Sequence, residues 1–167
     1  FGTDTIDIYS LHNVLTLDVL KEVMSPGGAY HALDEMRRAG HIRYVGISAH
    51  QPETIITAME MAAFDVIEFP LNIVDREAAD GLIGAVRDHG AGFISIKPMI
   101  FGDAAGARDA FRYIYGVGPD STTVGVYTPG ELEENLATEA EANGAGLTDD
   151  EILDAIAAAE RHSTKVF

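Results

Sequence analysis

Polar side chains close each run of strand-forming residues in this chain. His12 closes Ile6-Asp7-Ile8-Tyr9-Ser10-Leu11. Ser48, with His50 two places on, closes Ile42-Arg43-Tyr44-Val45-Gly46-Ile47. Glu68 lies near the end of Phe64–Phe69, Lys97 follows Gly92-Phe93-Ile94-Ser95-Ile96, and Val126-Tyr127-Thr128 ends the run from Thr122. Imidazole and carboxylate suit zinc or iron, so His12, His50 and Glu68 are one possible ligand set. No HxH or HExxH spacing supports it, and the expectation is that there is no metal. Lys97 forms a Schiff base if burial depresses its pKa; the simpler role is to neutralise a bound anion or pair with an acid. The chain has no GxGxxG or GxxxxGKS/T loop, so a phosphate would rest on a helix N-terminus, and Thr128 begins such a helix. His31, His41, His89 and His162 fall on helices or their ends and read as solvated.

The elements that must position these residues alternate strand with helix. That is the rhythm of a barrel in which strand C-termini carry the chemistry. Runs such as Tyr44-Val45-Gly46-Ile47 and Val66-Ile67 are apolar on both faces, as a parallel sheet covered by helices requires. Such barrels have eight strands in roughly 250 residues, whereas this chain, at 167 residues, has room for five. The expected fold is α/β: a partial (β/α)8 TIM barrel, the last five-eighths of an enzyme. A five-stranded remnant exposes two edges. Either upstream strands complete the sheet, or the chain self-associates through those edges.

Helices are expected at Leu17–Met24, stopped by Ser25-Pro26-Gly27-Gly28, and at Ala29–Arg38, with Leu33 and Met36 inward and Gly40 ending it. Pro52 opens a third, which carries Ile55, Ile56 and Met59. Asp75 is a candidate cap for a helix bearing Leu82, Ile83 and Val86, ended near Gly90. Thr128-Pro129-Gly130-Glu131 and Thr148-Asp149-Asp150-Glu151 both match the capping box. The last helix is expected to pack Ile152, Leu153 and Ile156 inward. Linkers are short, and residues 1–167 read as one domain without an internal boundary.

Charge narrows the partners. Asp and Glu total 27 against 11 Lys and Arg, for a formal charge of −16. That disfavours nucleic acid and anionic membrane, which are polyanions. Lysine is nearly missing, with only Lys21, Lys97 and Lys165. One reading is adaptation to high salt, where self-repulsion is screened; the other is an ordinary acidic protein. No apolar run approaches the roughly 20 residues of a membrane span. Cysteine is absent, and a cytoplasmic setting is expected.

Several of these segments resemble the aldo-keto reductase family. Ile6–His12 is similar to the family's DxYxxH fourth strand, and Gly28–Leu33 through Gly40–Ser48 resembles its AL…G-K-I-R-x-I-G-x-S signature. Phe64-Asp65 to Pro70-Leu71-Asn72 resembles the sixth-strand fDxxQxxyN, Ile96–Met99 the K-P-L turn, and Thr128–Leu136 the late P-x-x-L-x-E-N. The resemblance implies carbonyl reduction with NADPH or NADH, a small aldehyde or ketone being the substrate. It places His12 at the substrate carbonyl, and Ser48 and Glu68 at the nicotinamide carboxamide. Met99 to Gly102 correspond to the loop over the pyrophosphate, with Lys97 a further cofactor contact in the K-P-L turn; Gly125 and Glu131 fall at the adenosine ribose, and Glu134 and Asn135 at the adenine. The chain departs from the family in four ways, the first being Ala49 in place of the Asn common after Ser48. Glu68 stands where the family usually has Gln, no residue matches the family's catalytic Asp, Tyr and Lys, and Thr122–Asn135 contains no Lys or Arg. The last departure leaves NADH open. A non-catalytic nucleotide-binding or interaction module, or a metal-dependent or Schiff-base lyase or hydrolase, are the alternatives.

Overall fold

The computed structural model describes residues 2–99, 107–142 and 144–163, with side chains through 158. Five strands form one sheet in chain order: β1 (Ile6–Leu11), β2 (Ile42–Ser48), β3 (Val66–Pro70), β4 (Gly92–Ile96) and β5 (Ser121–Thr123). Adjacent order with a helix in each interval is the arrangement of a partial (β/α)8 barrel. The helices are α1 (Leu17–Met24), α2 (Ala29–Arg38), α3 (Pro52–Met61), α4 (Ile83–His89), α5 (Ala107–Val117), α6 (Pro129–Ala142) and α7 (Asp149–Ser163). The chain divides into two compact units. One runs to Phe69 and takes in Gly81–Ile94; the other comprises Pro70–Asp80 and the chain from Ser95 onward.

In the first unit β1, β2 and β3 are parallel, with Ser10 opposite Gly46, Gly46 opposite Val66, and Ser48 opposite Glu68. Partnered residues point to the same side of the sheet, and the side alternates along each strand. Leu11, Val45, Ile47, Ile67 and Phe69 fall on one face, and all are buried. The other face carries Ile8 and Tyr44, 43% and 52% exposed, while Ile42, Ser48 and Val66 on that face are buried. The expectation of apolar burial on both faces holds at Val66-Ile67 but fails at Tyr44 and its partner Ile8. In a closed barrel that second face is the interior.

An ion network joins α2 to the sheet. Arg37 donates to Asp34 (2.7 Å) and to Asp65 (3.2 Å), Arg38 reaches the other Asp34 oxygen (2.6 Å), and Asp65 also accepts from the Val45 amide (2.9 Å). Asp34 is buried, and each of its oxygens has a cationic partner, as a buried charge requires. Met36 is 46% exposed rather than inward. Asp34 occupies the inward stripe instead, because the salt bridges repay its burial.

The second unit is stapled at α5. Arg112 donates to both Glu151 oxygens (2.8 and 3.0 Å) and to the Gly146 carbonyl (3.2 Å). Gly146 approaches so closely that a Cβ on it would lie 2.8 Å from Gly116 Cα. The Thr148 box forms fully: the Glu151 amide donates to Thr148 Oγ1, and Glu151 accepts from the Thr148 amide. At the other box the Glu131 amide donates to Thr128 Oγ1, while Glu131 accepts from Tyr127, one residue earlier than expected. Leu153 is 63% exposed, not inward; Ala155 takes the buried place.

Two boundaries differ from the sequence reading. Asp75 does not serve as the helix cap. Asn72 makes the turn instead, accepting from Val74 (3.0 Å) and Asp75 (2.7 Å), and a π-type turn at Ala78–Leu82 precedes α4. β5 is shorter than the β-branched run from Thr122 to Val126 suggests. Among the described residues it is an edge strand with a neighbour on one side only, which leaves half of its ladder unpaired there.

Candidate active site

In the first unit the register brings the expected residues to one end of three adjacent strands. His12 directly follows β1, Ser48 ends β2, and Glu68 stands opposite Ser48 on β3. Backbone hydrogen bonds tie these ends together: the Val14 amide donates to the Ser48 carbonyl (2.8 Å) and the Ala49 amide to the Glu68 carbonyl (3.3 Å). His12 is exposed, while Ser48 is only 2% exposed. A nearly dry hydroxyl beside a carboxylate offers a donor and an acceptor at neighbouring points.

Glu68 is held from an unexpected direction. The Ser10 hydroxyl donates to Glu68 Oε1 at 2.6 Å, spanning β2 from β1 to β3. Sequence reasoning missed Ser10 and Gly46 as parts of the site. A signal for Ser10 exists, since it lies two residues before His12 in a strand and so shares its side. The role of Gly46 needs the register and has no local signature.

Among the described residues no three His, Cys, Asp or Glu converge as a metal site. The ligand set of His12, His50 and Glu68 therefore has no geometric support, and Glu68 is engaged by Ser10 instead.

Unusual backbone marks the strand ends. Asn13 (φ 63°) and Lys97 (φ 56°) are the non-glycine residues with left-handed backbone among those described. Asn tolerates that region, whereas Lys does so at a cost of roughly 1–2 kcal/mol. Lys97 is exposed and precedes a buried Pro98, which restricts its backbone further. Such strain gathers at binding and catalytic positions.

In the second unit, Met99 is half-buried and Gly102 lies outside the described residues. Gly125, Glu131 and Glu134 are exposed. Asn135 is half-buried and lines a cavity of about 390 Å³ together with Phe111, Ile114, Val124, Leu132 and Leu136. The rim carries Tyr115, whose hydroxyl bonds Glu139. Asn72, 1% exposed, has an Nδ2 without a partner among the described residues. Neither tyrosine of α5 is set up to donate protons at neutral pH, where a pKa near 7 is wanted. Burial pushes Tyr113 up to about 12, and the hydrogen bond to Glu139 raises Tyr115.

The sequence profile of the Aldo/keto reductase family matches residues 1–113. The chain belongs to the aldo-keto reductase family. An aldo-keto reductase from Gibberella moniliformis is 28% identical over 96 residues, covering 57% of this chain and 28% of that protein. An aldo-keto reductase structure from Pseudomonas aeruginosa superposes with a TM-score of 0.70 at 25% identity, covering 84% of this chain and 54% of the other. One from Bacillus halodurans, in its holo form, has a TM-score of 0.70 at 18% identity over 96% of this chain and 62% of its own. The chain thus spans 28% of the curated relative's length and little more than half of either solved structure. The family match stops short of Thr128–Leu136.

No described helix is long and apolar enough to cross a membrane.

Proposed function

We propose that the chain is the cofactor-holding portion of a nicotinamide-dependent reductase of aldehydes or ketones. The observation that carries the reading is the pairing of buried Ser48 with Glu68 at neighbouring strand ends, in a member of this family. The donor set suits a primary carboxamide, which presents both an acceptor oxygen and N–H donors. Ser48 donates to the oxygen and Glu68 accepts from the nitrogen. When bound, the reduced nicotinamide supplies the hydride. His12 donates a hydrogen bond to the carbonyl oxygen of the substrate as charge develops there, the stabilisation that often dominates rate. Lys97 neutralises the pyrophosphate, and Asn135, beside its apolar cavity, holds the adenine end. Proton donation is not assigned to any residue of this chain.

The dinucleotide is NADH rather than NADPH. Glu131 accepts a hydrogen bond from a ribose hydroxyl but repels a 2′-phosphate, and no Lys or Arg lies in Thr122–Asn135 to offset that.

The first test titrates the chain with NADH and NADPH, following cofactor fluorescence. Weak binding with NADH preferred by roughly tenfold or more is expected, the scale of one or two charge-assisted contacts. No carbonyl-dependent oxidation of NADH should accompany it. Failure to bind either nucleotide would overturn the cofactor reading. Turnover by the chain at an ordinary enzyme rate would mean that one of its own residues donates the proton.

A further inference from the structure

We infer that Ser10 is a positioning residue for the carboxamide contact. Its hydroxyl holds one oxygen of Glu68 and so fixes the direction of the other, and the site then selects a pyridine dinucleotide bearing a primary carboxamide over one bearing an acetyl group or a carboxylate. The inference rests on the cofactor reading above and goes beyond it in naming what the site rejects.

Three positions on three strands must agree for the contact to exist. Ser10 stands opposite Gly46, and Glu68 is one strand further, opposite Ser48. The hydroxyl reaches Glu68 Oε1 at 2.6 Å by lying over Gly46. A Cβ on Gly46 would fall 2.4 Å from Ser10 Oγ and 3.1 Å from the Val66 carbonyl, so a side chain there would displace Ser10. The separation is in the short range typical of a hydroxyl donating to a carboxylate.

The chemistry follows from what is left over. With Oε1 engaged by Ser10, Glu68 presents Oε2 to a ligand, and a carboxylate has no hydrogen to donate. A primary carboxamide matches Ser48 with its oxygen and Glu68 with its nitrogen. An acetyl group satisfies Ser48 but sets a methyl against Glu68. A carboxylate adds a second negative charge there. Sites built to bond an N–H reject analogues that lack it far more strongly than apolar pockets reject isosteres.

The test measures binding to the full-length protein by calorimetry, with reduced NAD and its 3-acetylpyridine analogue as probes. Ser10→Ala should weaken NADH binding roughly five- to tenfold, the scale of one hydrogen bond to a charged group, and leave the acetylpyridine analogue within about twofold. The selectivity between the probes then collapses, and Ser10→Thr restores it. A purely structural role for Ser10 would weaken both probes equally, and that result, or no change in either, overturns the inference. Glu68→Gln, nearly isosteric, provides the second arm. Its amide can donate, so affinity for nicotinic acid adenine dinucleotide should rise roughly tenfold or more; no rise overturns the acceptor-only assignment. If the unsubstituted protein binds none of these nucleotides, the cofactor reading itself has failed, a result distinct from retained binding with unchanged selectivity.

Discussion

Lys97 holds a backbone conformation that disfavours its own side chain, immediately after β4 and before a proline. Replacing it with glycine should relieve that strain, since glycine enters the left-handed region at little cost. We expect Lys97→Gly to raise unfolding stability by about 1 kcal/mol, net of the entropy that glycine adds to the unfolded chain, measured by urea denaturation. The same variant should bind NADH more weakly, because the cation is gone. Gain of stability with loss of affinity is the mark of strain kept for function; loss of both would mean that Lys97 is structural. Asn13 differs in kind. Asparagine tolerates its left-handed conformation, so Asn13→Gly should be nearly neutral.

Helix α2 is held to the sheet by charge as much as by apolar contact. Arg37 bridges Asp34 on its own helix and Asp65 just before β3, and its side chain is 28% exposed. Arg37→Ala strands Asp34 in a buried position with only the exposed Arg38 beside it, and should cost about 2 kcal/mol in urea denaturation. The start of α7 is pinned differently. The Arg112 guanidinium and the Thr148 cap hold the Glu151 carboxyl down to about 2, from an ordinary 4.5. A depressed acid stabilises the fold above its unfolded value, and the contribution fades as pH falls through the folded one. Stability should therefore drop between about pH 4.5 and about pH 2, and Glu151→Gln should flatten that part of the profile. A variant with the same acid slope as the parent would place the acid sensitivity elsewhere.

At the scale of the molecule, a formal charge of −16 over 167 residues is a repulsive load that salt can screen. The Debye length falls from about 10 Å at 0.1 M to about 3 Å at 1 M. We expect the melting temperature to rise by several degrees, on the order of 1 kcal/mol, between dilute buffer and 1 M KCl. Indifference to salt would remove the case for salt adaptation and leave an ordinary acidic protein. The sheet's β1 edge belongs to the same scale. Tyr9 and Ile8 are 46% and 43% exposed on a strand that, among the described residues, is paired on one side only, a surface that invites pairing with a further strand.

Local pattern carried much of this protein. The alternation of strand and helix, the ends of α1 and α2, the proline start of α3 and both capping hydroxyls follow from interactions spanning a few residues, and composition alone sets the charge. His12, Ser48 and Glu68 were legible as strand-end positions because strands end where polar and turn-forming residues interrupt an apolar run. What local pattern cannot contain is register. The Ser10 hydroxyl meets a carboxylate 58 residues away only because β1, β2 and β3 align with a glycine between them. Arg112 likewise finds Glu151 across 39 residues. Met36 and Leu153 face outward for the same kind of reason. Periodicity assigns a helix its apolar stripe, but which residues of the stripe are covered depends on the neighbour that packs there, and that neighbour is chosen by the tertiary fold.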